Sequence, residues 1–177
     1  MVDKTNAITL AEKGKQEYEL GNYLVAADLF SQAAQAHASM QDALNAAEMK
    51  NNQSVALLQG GKVKEALLAT EGTEEIFQEA GDIKRQGIAV SNRAAALEGL
   101  KKWSEALSEY DRAATLFEEI GEGDMHSMVR KTAANLHLKR GHITDSQMDV
   151  YDSLRLVEKP TLAQRVMKFF MRIGFLK

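Results

Sequence analysis

Gly21-Asn22-Tyr23-Leu24-Val25-Ala26, Gly61-Lys62-Val63-Lys64-Glu65-Ala66, Lys101-Lys102-Trp103-Ser104-Glu105-Ala106 and Gly141-His142-Ile143-Thr144-Asp145-Ser146 stand 40 residues apart along the chain. Each block opens on a breaker or polar pair, places a bulky apolar residue third and a small residue sixth. A fixed period of this size marks a solenoid, in which each unit buries its apolar face only against its neighbours. Such proteins offer long surfaces to other macromolecules and seldom carry chemistry of their own. The repeat therefore points to a binder.

Working outward from these blocks, apolar residues recur at three- and four-residue spacing, and no segment alternates for long like a strand. Gly21, Gly60-Gly61 and Gly141 interrupt the helical pattern as C-terminal glycines do. Asp42, Asp82 and Asp124 stand at the opposite junctions, where aspartate is a good N-cap. The spacing predicts antiparallel pairs over about 7–19 with 23–40, 43–59 with 63–80, 83–100 with 103–120, and 125–139 with 143–158. The small residues at 26, 66, 106 and 146 fall where the two helices of a pair cross closely. They face Gly14, Ser54, Ala94 and Ala134, while Phe30 and Tyr110 fill the space beyond. The second unit departs from this register, with Thr70 and Thr73 flanking Gly72. Degeneracy inside one continuous helix is a simpler reading of that departure than a flexible seam. Pro160 stops the fourth pair, and Thr161-Leu162-Ala163-Gln164 has the form of a capping box opening a last helix.

Composition agrees. Of 177 residues, 45% are apolar and 27% charged, with a single proline, as expected of a folded, mainly helical protein. Cysteine is absent, which excludes disulfides and thiolate metal sites. The net charge of −3 gives no reason to expect nucleic acid as a partner. Residues 1–10 lack the basic start and apolar core of an export signal, and no apolar run approaches the roughly 20 residues of a membrane span, so the cytoplasm is the expected compartment. Charge is uneven: Lys159, Arg165, Lys168, Arg172 and Lys177 form an acid-free tail, leaving 17 basic and 25 acidic residues before it.

Gly14, Gly21, Tyr23, Ala26, Phe30 and Ala33 resemble the tetratricopeptide repeat (TPR), and Trp103, Ala106, Tyr110 and Ala113 repeat its second half. The period is lengthened from 34 to 40 residues. The Glu-Ala-Gly-Asp (79–82) and Glu-Ile-Gly-Glu (119–122) junctions are similar to the longer variety found in G-protein signalling modulators, kinesin light chains and NSF attachment proteins. Phe170-x-x-Ile173-Gly174 sits in the register of one further first helix. The resemblance implies an all-α, right-handed α-solenoid. It would be a single domain over 1–177, with repeats over about 7–42, 43–82, 83–122 and 123–160 and a C-terminal capping helix over 161–177. It implies a non-catalytic scaffold or adaptor for protein partners, with self-association left open.

The resemblance also transfers a binding face. In this family four positions of each first helix line the inner groove. They fall on Ile8, Ala11, Lys15 and Tyr18; on Glu48, Asn51, Val55 and Leu58; on Ile88, Ser91, Ala95 and Glu98; and on Met128, Lys131, Asn135 and Leu138. Asn51 and Asn135 could bond a peptide backbone, and exposed Ile, Val, Leu and Met on one face ask for a partner. Lys131 and Asn135 match the opening pair of a carboxylate clamp, but Arg172 stands where an asparagine is required, so a chaperone-tail clamp is not expected.

The last helix carries Leu162, Val166, Phe169, Phe170 and Ile173 on one face and Arg165, Lys168 and Arg172 on another. It reads as the cap of the solenoid, its cations facing solvent or the stripe Asp145, Asp149 and Asp152; the alternative is contact with an anionic membrane surface. No catalytic constellation is found. The histidines 37, 126, 137 and 142 form no i, i+4 pair, so neither metal nor cofactor is expected.

Overall fold

Seven helix ends, from Glu19 to Lys139, fall 20 residues apart. Gly21, Gln41, Gly61, Gly81, Lys101, Gly121 and Gly141 all have φ between 60° and 81°. At each, the residue's own amide and the following one reach back into the last helical turn. At the first turn, Gly21 N–H donates to the Tyr18 carbonyl at 3.0 Å and Asn22 N–H to the Glu17 carbonyl at 2.8 Å. At the last, Gly141 and His142 donate to Leu138 and His137 at 3.0 and 2.9 Å. These are Schellman closures, which satisfy carbonyls that a helix end would otherwise leave unpaired.

The structure, a computed structural model, describes residues 4–174, with the side chains of Lys4, Lys168 and residues 170–174 outside the description. Between the turns run α1 (Lys4–Glu19), α2 (Tyr23–Ser39), α3 (Ala43–Gln59), α4 (Val63–Ala69), α5 (Thr73–Glu79), α6 (Ile83–Gly99), α7 (Trp103–Glu119), α8 (Gly123–Lys139), α9 (Ile143–Ser153) and α10 (Leu162–Gly174). The described residues contain no strand. The fold is an all-α, TPR-like solenoid built from helical hairpins.

Contacts divide the chain into two compact units, Met1–Ala106 and Leu107–Lys177. In the first, α1, α2 and α3 pack in succession, and α3 also touches α4, α5 and α6. Its core holds Ala26, Ala27, Phe30, Ala33, Ala34, Met49 and Ala56, with Phe77 buried against Ala47 and Ala89 in a second cluster. The small positions do what their spacing requires: Gly14, Ala26, Ser54, Ala66, Ala94 and Ala106 are all buried. A Cβ at Gly14 would lie 2.8 Å from the Phe30 ring, so that glycine admits the aromatic side chain of α2. In the second unit, Tyr110, Ala113, Ala114 and Phe117 of α7 are buried, as are Ala133, Ala134 and Leu136 of α8.

Three expectations are corrected. The segment 63–80 is two helices rather than one, because Gly72 takes φ 75°. The chain at the break is held by hydroxyls. Thr70 N–H turns to the Leu67 carbonyl at 3.1 Å, and the Ala66 carbonyl accepts instead from Ser54 Oγ at 2.8 Å. Thr73 Oγ1 bonds the Thr70 carbonyl at 2.8 Å and Asn51 Oδ1 at 3.2 Å. Second, α9 ends at Ser153 rather than 158. There Ser153 Oγ caps the Val150 carbonyl at 2.7 Å, and Leu154 and Arg155 amides close tight turns onto Tyr151 and Asp152. Third, Asp42 and Asp82 cap α3 and α6 through the amides of Asn45 and Arg85, but α8 starts one residue before Asp124 and its N-cap Glu122 makes no side-chain cap bond. The capping box of α10 forms as expected: Thr161 N–H donates to Gln164 Oε1 at 2.7 Å and Gln164 N–H to Thr161 Oγ1 at 3.3 Å.

Candidate functional site

In the first unit, one turn of α1 and one of α3 bring Lys15, Tyr18, Asn52 and Val55 around a depression of about 190 Å³ floored by Phe30. The pieces follow from the sequence. Gly14 lets Phe30 rise beneath the site, and Tyr18 is steadied edge-on against Tyr23, with ring centroids 5.2 Å apart. Tyr18, Val55, Leu58, Ile88, Ser91 and Ala95 are all half-buried, and Ile8 is exposed. The Ser91 hydroxyl is turned onto its own helix, donating to the Ile88 carbonyl at 2.9 Å.

Two members of the expected face serve the fold instead. Asn51 is only 3% exposed, and its Oδ1 accepts from Thr73 beside the Gly72 break, so it is a core residue rather than a groove donor. Glu48 pairs with Arg85 at 3.3 Å. That arginine also bonds Asp82 at 2.6 Å and lies 5.1 Å from the centre of the Phe77 ring. The backbone amide and the guanidinium of Arg85 together hold the Asp82 carboxyl below its ordinary range.

In the second unit, Met128, Lys131, Asn135 and Leu138 are all exposed along α8, with more than half of the Met128 and Leu138 surfaces open. The opposite side of α8 meets α9 through charge. Arg130 contacts Asp111 of α7, Asp149 at 3.4 Å and Asp152 at 2.7 Å, and Arg155 bonds Asp152 at 2.9 Å and Glu118 at 2.6 Å. Asp149 is thus buried against α8 and is no part of a solvated stripe; burial raises its carboxyl above the ordinary value despite Arg130 and His137. His126 is fully buried, its Nε2 3.3 Å from Asp152 but without a well-directed hydrogen bond on either nitrogen. Burial lowers its pKa and favours the neutral ring.

On α10, Arg165, Leu162, Val166, Met167 and Phe169 are exposed, Leu162 by 78% and Phe169 by 60%. The burial of Leu162, Val166 and Phe169 expected of a cap is therefore not found. The side chains of Lys168, Phe170, Arg172 and Ile173 lie outside the described residues. No helix among those described is long and apolar enough to cross a membrane.

Sequence reasoning missed one cluster. His137, His142 and Asp145 gather where α8 turns into α9, their ligating atoms all within 4.8 Å of one another. A search for i, i+4 pairs on one helix overlooks it, because this pair is five apart and spans the Gly141 turn; the readable signal was His-x4-His-x2-Asp.

Comparison with known proteins agrees with the helical-repeat fold. No curated protein matches the chain. A crystal structure of a TPR-like protein from Chlorobium tepidum superposes with a TM-score of 0.63 at 22% identity, covering 77% of this chain and 95% of that one, which shows the fold alone. The family model described as "SNAP: Soluble NSF attachment protein" matches residues 4–177. The chain belongs to the soluble NSF attachment protein family.

Proposed function

We propose that this chain is a non-catalytic adaptor that holds a helical or extended segment of a protein partner on the first-helix face of its hairpins. TPR-like helical repeats commonly mediate protein interactions, and the finer reading rests on one observation. Tyr18 and Val55, on separate helices, flank a shallow half-apolar depression large enough for one side chain, with Lys15 and Asn52 at its edge. That is the anatomy of an anchor pocket with a polar rim. The family description names NSF as what its members attach, which makes an NSF from the same organism the first partner to test. Val55→Glu with Leu58→Glu should abolish capture of NSF while leaving the helical circular-dichroism signal unchanged. Capture that survives the double substitution on a folded protein would remove this face from the interaction.

A second reading has gained support from the exposure of Leu162, Val166, Met167 and Phe169 beside Arg165. An acid-free helix with an open apolar face suits adsorption to an anionic membrane surface. The intact chain should float with phosphatidylserine vesicles and be released by 0.5 M salt, since screening shortens the reach of the basic residues to a few ångströms. Phe169→Glu should abolish flotation. Absence of flotation at low salt would end this reading.

A further inference from the structure

We propose that the turn between α8 and α9 is a binding site for a borderline divalent transition metal such as Zn²⁺, with His137, His142 and Asp145 as ligands. His137 closes the last turn of α8, His142 is the N-cap residue of α9, and Asp145 stands in the first turn of α9. The Gly141 turn, at φ 78°, folds the two helix ends so that three side chains from nine residues of chain converge. Asp145 Oδ2 lies 3.8 Å from His137 Nδ1 and 3.7 Å from His142 Nδ1, and the two imidazole rings are 5.8 Å apart.

Ligand atoms about 2.0–2.1 Å from a tetrahedral zinc are separated by about 3.3 Å, so the two carboxylate–imidazole distances must shorten by about half an ångström, and the widest separation in the set, no more than 4.8 Å, by at most about 1.5 Å. Two of the three residues are exposed and free to make that adjustment, His142 by 45% and Asp145 by 59% of their side chains.

Three further observations point to a cation rather than to an incidental surface cluster. His137 Nδ1 is buried with no hydrogen-bond partner, a lone pair or proton held out of water at the centre of the cluster. The other ring nitrogen of His137, Nε2, faces Asp149 Oδ2 at 3.7 Å. That is too long for a hydrogen bond, but a small turn of the ring would bring the carboxylate to the place from which it fixes a ligating imidazole and raises its basicity. The N-cap position also makes no side-chain bond to the amides of α9, so His142 is not occupied by a capping role. Two imidazoles and one carboxylate select Zn²⁺, Co²⁺ or Ni²⁺ over Mg²⁺ and Ca²⁺, which prefer all-oxygen ligand sets. Three protein ligands leave at least one coordination position for water or for a partner's side chain.

The test is calorimetric titration of the full-length, untagged protein with ZnCl₂ and CoCl₂, together with the visible spectrum of the Co²⁺ form. One ion per chain is expected, with micromolar or tighter affinity and intense Co²⁺ bands of a four- or five-coordinate site. His142→Ala and Asp145→Asn, both at exposed positions, should each weaken binding at least tenfold without lowering the melting temperature of the metal-free protein. A circular-dichroism melt of each variant checks the second point. Binding weaker than millimolar, or affinity unchanged in both variants, would overturn the site. So would Co²⁺ spectra of a fully hydrated octahedral ion.

Discussion

At the scale of single residues, the backbone at the turns asks for glycine and does not always receive it. Gln41 and Lys101 hold the same left-handed conformation as the five glycines that share their register, each with φ 60°. A side chain there costs on the order of 1 kcal/mol. Lys101→Gly is therefore expected to stabilise the protein by about 0.5–1 kcal/mol in urea unfolding, because relief of that strain exceeds the added freedom of the unfolded chain. Ser54 tests the opposite sign. Its hydroxyl supplies the hydrogen bond that the Ala66 carbonyl loses at the α4–α5 break, and both groups are buried. Ser54→Ala should cost about 1–2 kcal/mol, more than its loss of one oxygen suggests, because a buried carbonyl is left unpaired. Gly123→Ala should be worse, since the new Cβ would stand 2.3 Å from the Leu156 carbonyl oxygen. A stability loss of about 1–3 kcal/mol is expected there.

The element that most shapes the pH response is the α8–α9 hairpin. His126 is buried beside Asp152, Arg130, Glu118 and Arg155, and burial depresses its pKa. A histidine depressed in the fold takes up protons more readily when unfolded, so stability falls as pH drops below about 6.5 and continues to fall until the folded value is reached. Asp149, raised by burial, has the opposite sign and loses stability as pH rises through its folded value above 3.8. Asp42 and Asp82, held low by their cap bonds to Asn45 and Arg85, contribute above the ordinary carboxylate range and fail only in stronger acid. Melting temperatures between pH 7 and pH 5 should therefore fall in the native protein. The slope should be shallower in His126→Gln, and an unchanged slope would assign the effect elsewhere. None of the α8–α9 pairings was legible in the sequence. Asp145, Asp149 and Asp152 share a face there, but whether that face meets solvent or α8 depends on how the hairpin is rotated. The small residues at 14, 26, 54 and 66 were legible because close helix crossing leaves no alternative, and the Asp42 and Asp82 caps because they act within four residues. The Gly72 break was visible as Thr-Glu-Gly-Thr and undervalued. A helix can absorb one glycine, whereas this glycine is flanked by threonines whose hydroxyls reward leaving the helix.

For the whole molecule, the exposed face of α10 makes a sharp statement about truncation. Leu162, Val166 and Phe169 remain largely open, so removing residues 161–177 should shift the melting temperature by only a few degrees, where a burying cap would have contributed several kcal/mol. A large loss in a thermal melt would overturn this reading and make the last helix a cap after all. The break at Gly72 has a consequence in time rather than in space. α4 and α5 are seven residues each, about two turns, and helices that short do not nucleate in water without outside support. The seventeen-residue α2, α3 and α6 each have enough turns to form transiently before they pack. The chain should therefore cross its folding barrier with α4 and α5 still unformed, and they should condense last onto α3 and α6. Conservative substitutions in those two helices should then hasten unfolding while leaving the refolding rate nearly untouched, as a chevron plot would read directly.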